Sequence, residues 1–249
     1  MVSAIAAGLA WRAGTLTLSG GIAAWTVGTL VLYGSGWGGG AVLAAFFIAS
    51  NLVSRLGAQR SRVQLDPKTD RRDIWQVYAN GGVAALGALT GGAELSLWLV
   101  TATLSAAAAD TWATAVGARS DSTPRWLAFG RRVPPGTNGG MTLIGSAGAA
   151  VGALLVSTTG AMASGVLVIL PAGTLIGFAG MVVDSVLGGV FQGRFHCLTC
   201  DVPSEWPVHR CGRPTVPRGG LTWLNNDMVN LVTTTFAAGA ALLFWRWHD

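Results

Sequence analysis

Long apolar segments, separated by short stretches rich in charge, Gly and Pro, constrain this chain more than any other feature. Seven such runs lie at about 16–34, 38–55, 75–91, 95–118, 140–159, 164–191 and 226–246, each near the ~20 residues that carry a helix across a bilayer. Charged residues make up only 11% of the 249, against roughly 25% in soluble domains. Lipid, not water, is the solvent for such a composition. The expected fold is therefore all-α, a polytopic transmembrane helical bundle of about seven spans forming one integral membrane domain over residues 1–249. Residues 2–10 are apolar but too short to cross, which suggests a re-entrant or interfacial helix. No basic residues precede that stretch, so it reads as mature protein and not as a cleaved leader. Gly is abundant, at 36 residues without a collagen-like period, and implies Gly-rich packing between helices.

Positive charge orients these spans. Arg12 precedes the first span. Arg55, Arg60, Arg62, Lys68, Arg71 and Arg72 fall between the second and third. Arg119, Arg125, Arg131 and Arg132 follow the fourth, and Arg194, Arg210, Arg213 and Arg218 follow the sixth. Of the 16 basic residues, only Arg246 falls on the opposite face. The basic face is expected to be cytoplasmic, in a plasma (inner) membrane, with the N-terminus inside and the C-terminus outside. Topology and anionic lipid account for the net charge of +5, so no nucleic-acid partner is expected. Protein partners are left open.

Several polar residues fall inside the apolar runs. Asp110 lies about eight residues, or ~12 Å of helix, before the cytoplasmic end of the fourth span. Asp184 sits at a similar depth in the sixth. Asp227 opens the seventh beside Asn225, Asn226 and Asn230, and Asn80 lies in the first turns of the third. These positions, far apart in sequence, arrive at one inner-leaflet level. An ionised carboxylate there costs several kcal/mol unless it is paired, wetted or metal-bound. Capping suffices for Asp227 or Asn226, and helix-to-helix hydrogen bonding for Asn80. Neither explains Asp110 or Asp184, which are mid-helix. Thr114 and Gly117 share the Asp110 face, while Gly173, Gly177, Gly180, Asp184 and Gly188 form one stripe that turns Asp184 toward a helix interface.

Two loops add candidates. In VPPGTNGGMT, residues 133–142, Gly136, Gly139 and Gly140 can expose backbone N–H groups to an anion at a helix N-terminus. Thr137 or Asn138 acting as a plain helix cap is an equal alternative. The 192–225 loop contains HCLTCDVPSEWPVHRC, in which Cys197, Cys200, His209 and Cys211 have the residue types and spacing of a structural zinc site. Free reduced thiols are the alternative.

The ordered motifs QVYANGG (76–82), ADTWATAVG (109–117), PR (124–125), GTNGG (136–140), DSVLGG (184–189) and NNDMVN (225–230) resemble a membrane family of unknown function. That family includes transmembrane protein 19 and the phytyl-phosphate kinases of vitamin E synthesis, and the resemblance covers nearly the whole chain. It implies an isoprenoid (phytyl or prenyl) monophosphate kinase-like phosphotransferase that uses a nucleoside triphosphate such as CTP and Mg²⁺. By the same resemblance Asp110, Asp184 and Asp227, assisted by Asn226 or Asn138, would hold Mg²⁺. The 136–140 amides with Arg131, Arg132 or Arg218 would bind phosphate. One departure stands out: members commonly carry Glu where this chain has Ala115. A transporter of ions or small molecules and a noncatalytic membrane subunit are the competing expectations.

Overall fold

The computed structural model of the protein describes residues 1–58 and 71–248; Arg60, Arg62 and Lys68 of the basic 56–73 loop lie outside the described residues. Helices dominate: α1 (Val2–Arg12), α2 (Leu18–Ala58), α3 (Ile74–Gly87), α4 (Ala93–Gly117), α5 (Leu143–Ser164), α6 (Ile169–Val190) and α7 (Asn226–His248). They coincide with the expected apolar runs to within a few residues, except that α5 starts later and α6 begins only after the left-handed Gly165.

α2 is one continuous element by its hydrogen bonds but reverses direction at Gly36, whose φ of 59° and ψ of −155° are open essentially to Gly alone. The chain then runs back along itself. A Cβ on Gly28 would lie 3.9 Å from the Leu43 side chain, and the Arg55 guanidinium reaches the Ala13 carbonyl at 3.4 Å. α2 is thus a helical hairpin, and its two arms correspond to the first two apolar runs. α1 lies against it, with the Ser3 and Thr29 hydroxyls 2.9 Å apart.

α4 is the central helix and packs against α2, α3, α5, α6 and α7. Its sequence explains how. Ala, Ser and Thr let five neighbours approach, and the hydroxyls of Ser96, Thr101, Ser105 and Thr111 find partners within the protein, as a medium without water favours, while that of Thr103 is buried without one. Thr101 donates to the Leu97 carbonyl at 2.7 Å, Ser96 to Gly34 at 3.0 Å, and the Ser105 and Ser157 hydroxyls are 2.9 Å apart. Small residues facing α4 close the distance: a Cβ on Gly177 would lie 2.8 Å from that of Ser105, and one on Gly180 2.7 Å from that of Ala106.

Among the described residues, four segments are long and apolar enough to cross a membrane: Leu18–Arg55, Leu143–Ser164, Ile169–Val190 and Asn226–Trp247. α3, at 14 residues, spans only ~21 Å, and α4 trades apolarity for the small hydroxylated residues that its burial demands.

Among the described residues, five short strands depart from the all-α expectation. β1 (Arg125–Trp126) pairs with β2 (Gly140–Met141), while β3 (Arg194–Cys197) lies between β4 (Val202–Ser204) and β5 (Val216–Gly219) in an antiparallel sheet. Strands of two to four residues are too short to show a two-residue alternation, so periodicity does not reveal them. The 192–225 segment is therefore a small folded sheet.

The helix ends gather in a fixed pattern. Thr15 and Thr17, ahead of α2, exchange backbone hydrogen bonds with Arg72, ahead of α3. The same end of the bundle carries the α4–α5 connection and the 192–225 sheet.

Candidate functional site

A cavity of about 1100 Å³ opens at this end of the bundle. α4 and α6 bring their C-terminal turns to it, and α3 and α7 their N-terminal ones, so one shared level collects residues from positions 54 to 230. Asn80, Asp110, Thr114, Gly136, Thr137, Asn138, Gly139, Gly140, Asp184, Asn226 and Asn230 all line it.

Asp110 and Asp184 lie within side-chain hydrogen-bonding reach of each other. Asp184 is buried, and its Oδ2 accepts a 3.1 Å hydrogen bond from the Thr233 hydroxyl of α7. Asp110 is half-buried and faces the opening. Two carboxylates this close repel each other when both are ionised, a cost that a cation between them would offset. The Gly177–Ser105 and Gly180–Ala106 approaches produce this geometry by pressing α6 onto α4 one and two turns earlier. Asn80 donates to the Gln76 carbonyl of its own helix at 2.9 Å. The expected helix-to-helix bond in that region comes instead from Thr234, which donates to Ala79 at 3.0 Å.

The GTNGG segment is built differently from a helix-terminal anion loop. Thr142 caps α5, accepting from the Gly145 N–H at 3.0 Å, so neither Thr137 nor Asn138 is the cap. The Thr137 and Gly140 N–H groups already donate within the turn, to Pro134 and Thr137. The segment folds onto the C-terminal turns of α6. Gly139, at φ 75°, sits so close that a Cβ would strike the Ser185 carbonyl and lie 2.6 Å from Gly189 Cα. Trp126 fastens it, its Nε1–H donating to the Asn138 carbonyl at 3.0 Å.

Other expected residues lie elsewhere. Asp227 is buried but is absent from the cavity wall; its neighbours Asn226 and Asn230, four apart on one face of α7, occupy that wall. Arg131, Arg132 and Arg218 are exposed on the β1 turn and β5 and do not line the cavity. Among the described residues, the arginines that line it are Arg72 and Arg119. Both belong to the basic face read from the sequence, but nothing in their local pattern separates them from the other arginines there. Burial lowers the pKa of Arg72, a cost that an anion in the cavity would relieve. Glu205 and Trp206, which the sequence did not single out, complete the outer wall.

Outside the cavity wall, Cys197, Cys200, His209 and Cys211 place their ligand atoms within 4.8 Å of one another. Burial pushes the Cys197 thiol up. The backbone N–H groups of Cys200 and Thr199 and the neighbouring thiols outweigh it and hold Cys197 below the usual range. Cys200 is pushed up to about 11, chiefly by its hydrogen bond with Cys211.

The sequence model of a family described as integral membrane protein DUF92 matches residues 1–238. The chain is similar to Protein PGR of Arabidopsis thaliana, with 30% identity over 98% of this chain and 95% of that one. An uncharacterized membrane protein of Methanocaldococcus jannaschii shares 31% identity over 68% of this chain and 71% of its own. One of Synechocystis shares 26% over 88% and 78%. No solved structure matches.

Proposed function

The chain belongs to the DUF92 family of integral membrane proteins, and from that premise we propose that it is a membrane-embedded phosphotransferase acting on an isoprenoid monophosphate. The observation that carries this reading is the contact between Asp110 and Asp184 inside a cavity that Arg72 and Arg119 also line. Phosphoryl transfer needs little from a protein beyond positioning and neutralised charge. A carboxylate pair for a divalent cation and arginines for phosphate meet that need. The cavity volume of about 1100 Å³ suits two phosphorylated ligands better than one, since single-ligand pockets run ~300–1,000 Å³.

The carboxylate oxygens of Asp110 and Asp184 fit Mg²⁺, which is typically held by one or two carboxylates plus substrate phosphates. When bound, Mg²⁺ would neutralise charge on the transferring phosphoryl group. Thr233 orients Asp184, and Asn226 and Asn230 offer amide groups from the facing helix. Arg72 and Arg119 bind phosphate oxygens. The bond between the γ-phosphorus and its bridging oxygen breaks, and a bond forms to an oxygen of the lipid phosphate, giving a diphosphate and the nucleoside diphosphate. The isoprenoid tail stays among the apolar helices.

In the membrane, the two α2 arms, the short α3 and the longer α4, α5, α6 and α7 make seven crossings. The cavity faces the cytoplasm, with the N-terminus on that side and the C-terminus opposite, as the distribution of arginines favours.

A transfer assay tests the chemistry. Purified protein in detergent, given labelled CTP or ATP with a short prenyl monophosphate, should form the labelled prenyl diphosphate. Asp110→Asn and Asp184→Asn should each lower turnover about a hundredfold or more, because Asn keeps the shape but loses the charge that holds the cation. Full activity in both variants would overturn the assignment. So would cation-coupled uptake into vesicles without transfer, which would make the pair a transport site.

A further inference from the structure

We propose that Cys197, Cys200, His209 and Cys211 bind one structural zinc ion, and that this ion clamps the 198–215 segment in place as the outer wall of the cavity. The donor geometry comes first. All four ligand atoms lie within 4.8 Å of one another, and the Cys197 and Cys211 sulfurs are 3.7 Å apart. A tetrahedral zinc with Zn–S bonds of ~2.3 Å separates its sulfurs by about 3.8 Å. A disulfide would instead require ~2.05 Å. The pair is spaced as two ligands of one ion.

Each half of the site is held on a tight turn. Cys197 ends β3 and Cys200 follows in a turn closed by Asp201, which is the one described non-glycine residue with positive φ, at 54°. His209 and Cys211 sit in a second turn, where the His209 N–H donates to the Arg213 carbonyl at 2.9 Å and the Gly212 N–H to the His209 carbonyl at 2.8 Å. Three thiolates and one imidazole form a closed tetrahedral set with no position left for substrate, so the role is structural.

The sheet around the site supplies the need for such an ion. β3, β4 and β5 have four, three and four residues, and Leu198, Val202 and Val208 are exposed, so little apolar burial holds the segment together. Between the two ligand pairs lie Glu205 and Trp206, which line the cavity. Fixing both ends of that stretch fixes this wall. The clamp does not depend on what the cavity binds.

Metal analysis of the full-length protein, purified in detergent without chelators, tests the site. Wild type should carry about one zinc per chain. Cys200→Ser and Cys211→Ser should lose most of it, and His196→Ala should keep it, because His196 bonds to Asp201 and stands outside the set. If the Ser variants fail to insert, His209→Cys, which restores four donors, should still hold zinc. Tetrahedral thiolate bands on cobalt substitution provide a second readout. Hydrogen exchange tests the clamp: stripping the metal should speed exchange across 198–215 at least tenfold while leaving α4 and α6 protected. Wild type without zinc, or with iron in its place, would overturn the metal assignment. Unchanged exchange in 198–215 after stripping would overturn the clamp.

Discussion

Asp110 and Asp184 stand out at the scale of single residues because neither capping nor lipid exposure accounts for a carboxylate in the middle of a helix. Their contact converts two separate oddities into one chemical unit. Thr233 belongs to that unit, since its hydroxyl is the described donor to Asp184 from α7. Thr233→Val keeps the volume and removes that donor. If the carboxylate pair holds Mg²⁺ as proposed, this change should weaken its binding by roughly tenfold, as loss of a group that orients a metal ligand commonly does, without impairing insertion. Isothermal titration with Mg²⁺ on the purified variant measures this, and wild-type affinity would show that Asp184 needs no such support. The residue scale also shows the limit of types without places: Asp227 and Asn226 are adjacent in the chain, yet α7 turns only the second to the cavity.

The decisive element is α4. Its small side chains bring α5 and α6 close, and α6 carries Asp184 to Asp110 only because Gly177 and Gly180 fit against Ser105 and Ala106. Gly177→Ala should therefore destabilise the protein by about 1–3 kcal/mol, the usual cost of overpacking. Gly239→Ala in α7 is the control. Nothing lies within 4 Å of its added Cβ, so that change should be neutral or slightly stabilising, since Ala favours helix over Gly. Thermal unfolding of the two variants in the same detergent distinguishes them; equal melting temperatures would contradict close packing at Gly177. Elements also explain why the strands escaped sequence reading. The Trp126 anchor and the seat of Gly139 against Ser185 and Gly189 determine where GTNGG sits, and both act through contacts distant in sequence.

For the whole molecule, charge and architecture agree. Arg12, Arg55, Arg72 and Arg119 all lie toward the end of the bundle that carries the cavity, while Arg246 closes α7 far from it. Cysteine accessibility in intact cells checks the orientation. Ser122→Cys should react with an impermeant thiol reagent only after permeabilisation, whereas a cysteine appended after residue 249 should react without it. Labelling of Ser122→Cys from outside would invert the topology and move the cavity to the other face.

Local chemistry suffices for several features of this protein. Apolar run length marks the helices, arginine placement marks the basic face, and depth along each helix sets Asn80, Asp110, Asp184 and Asn226 at one level. These follow from the sequence because each depends on residues close together in the chain. Lateral position does not. Whether Asp110 meets Asp184, which arginines reach the cavity, and where GTNGG lies all depend on rotation and spacing between helices. Those are set by side-chain fit across interfaces such as Gly177–Ser105 and Gly139–Gly189, whose partners are dozens of residues apart. Only the tertiary structure makes that choice, because the fit belongs to pairs of surfaces and not to any one segment.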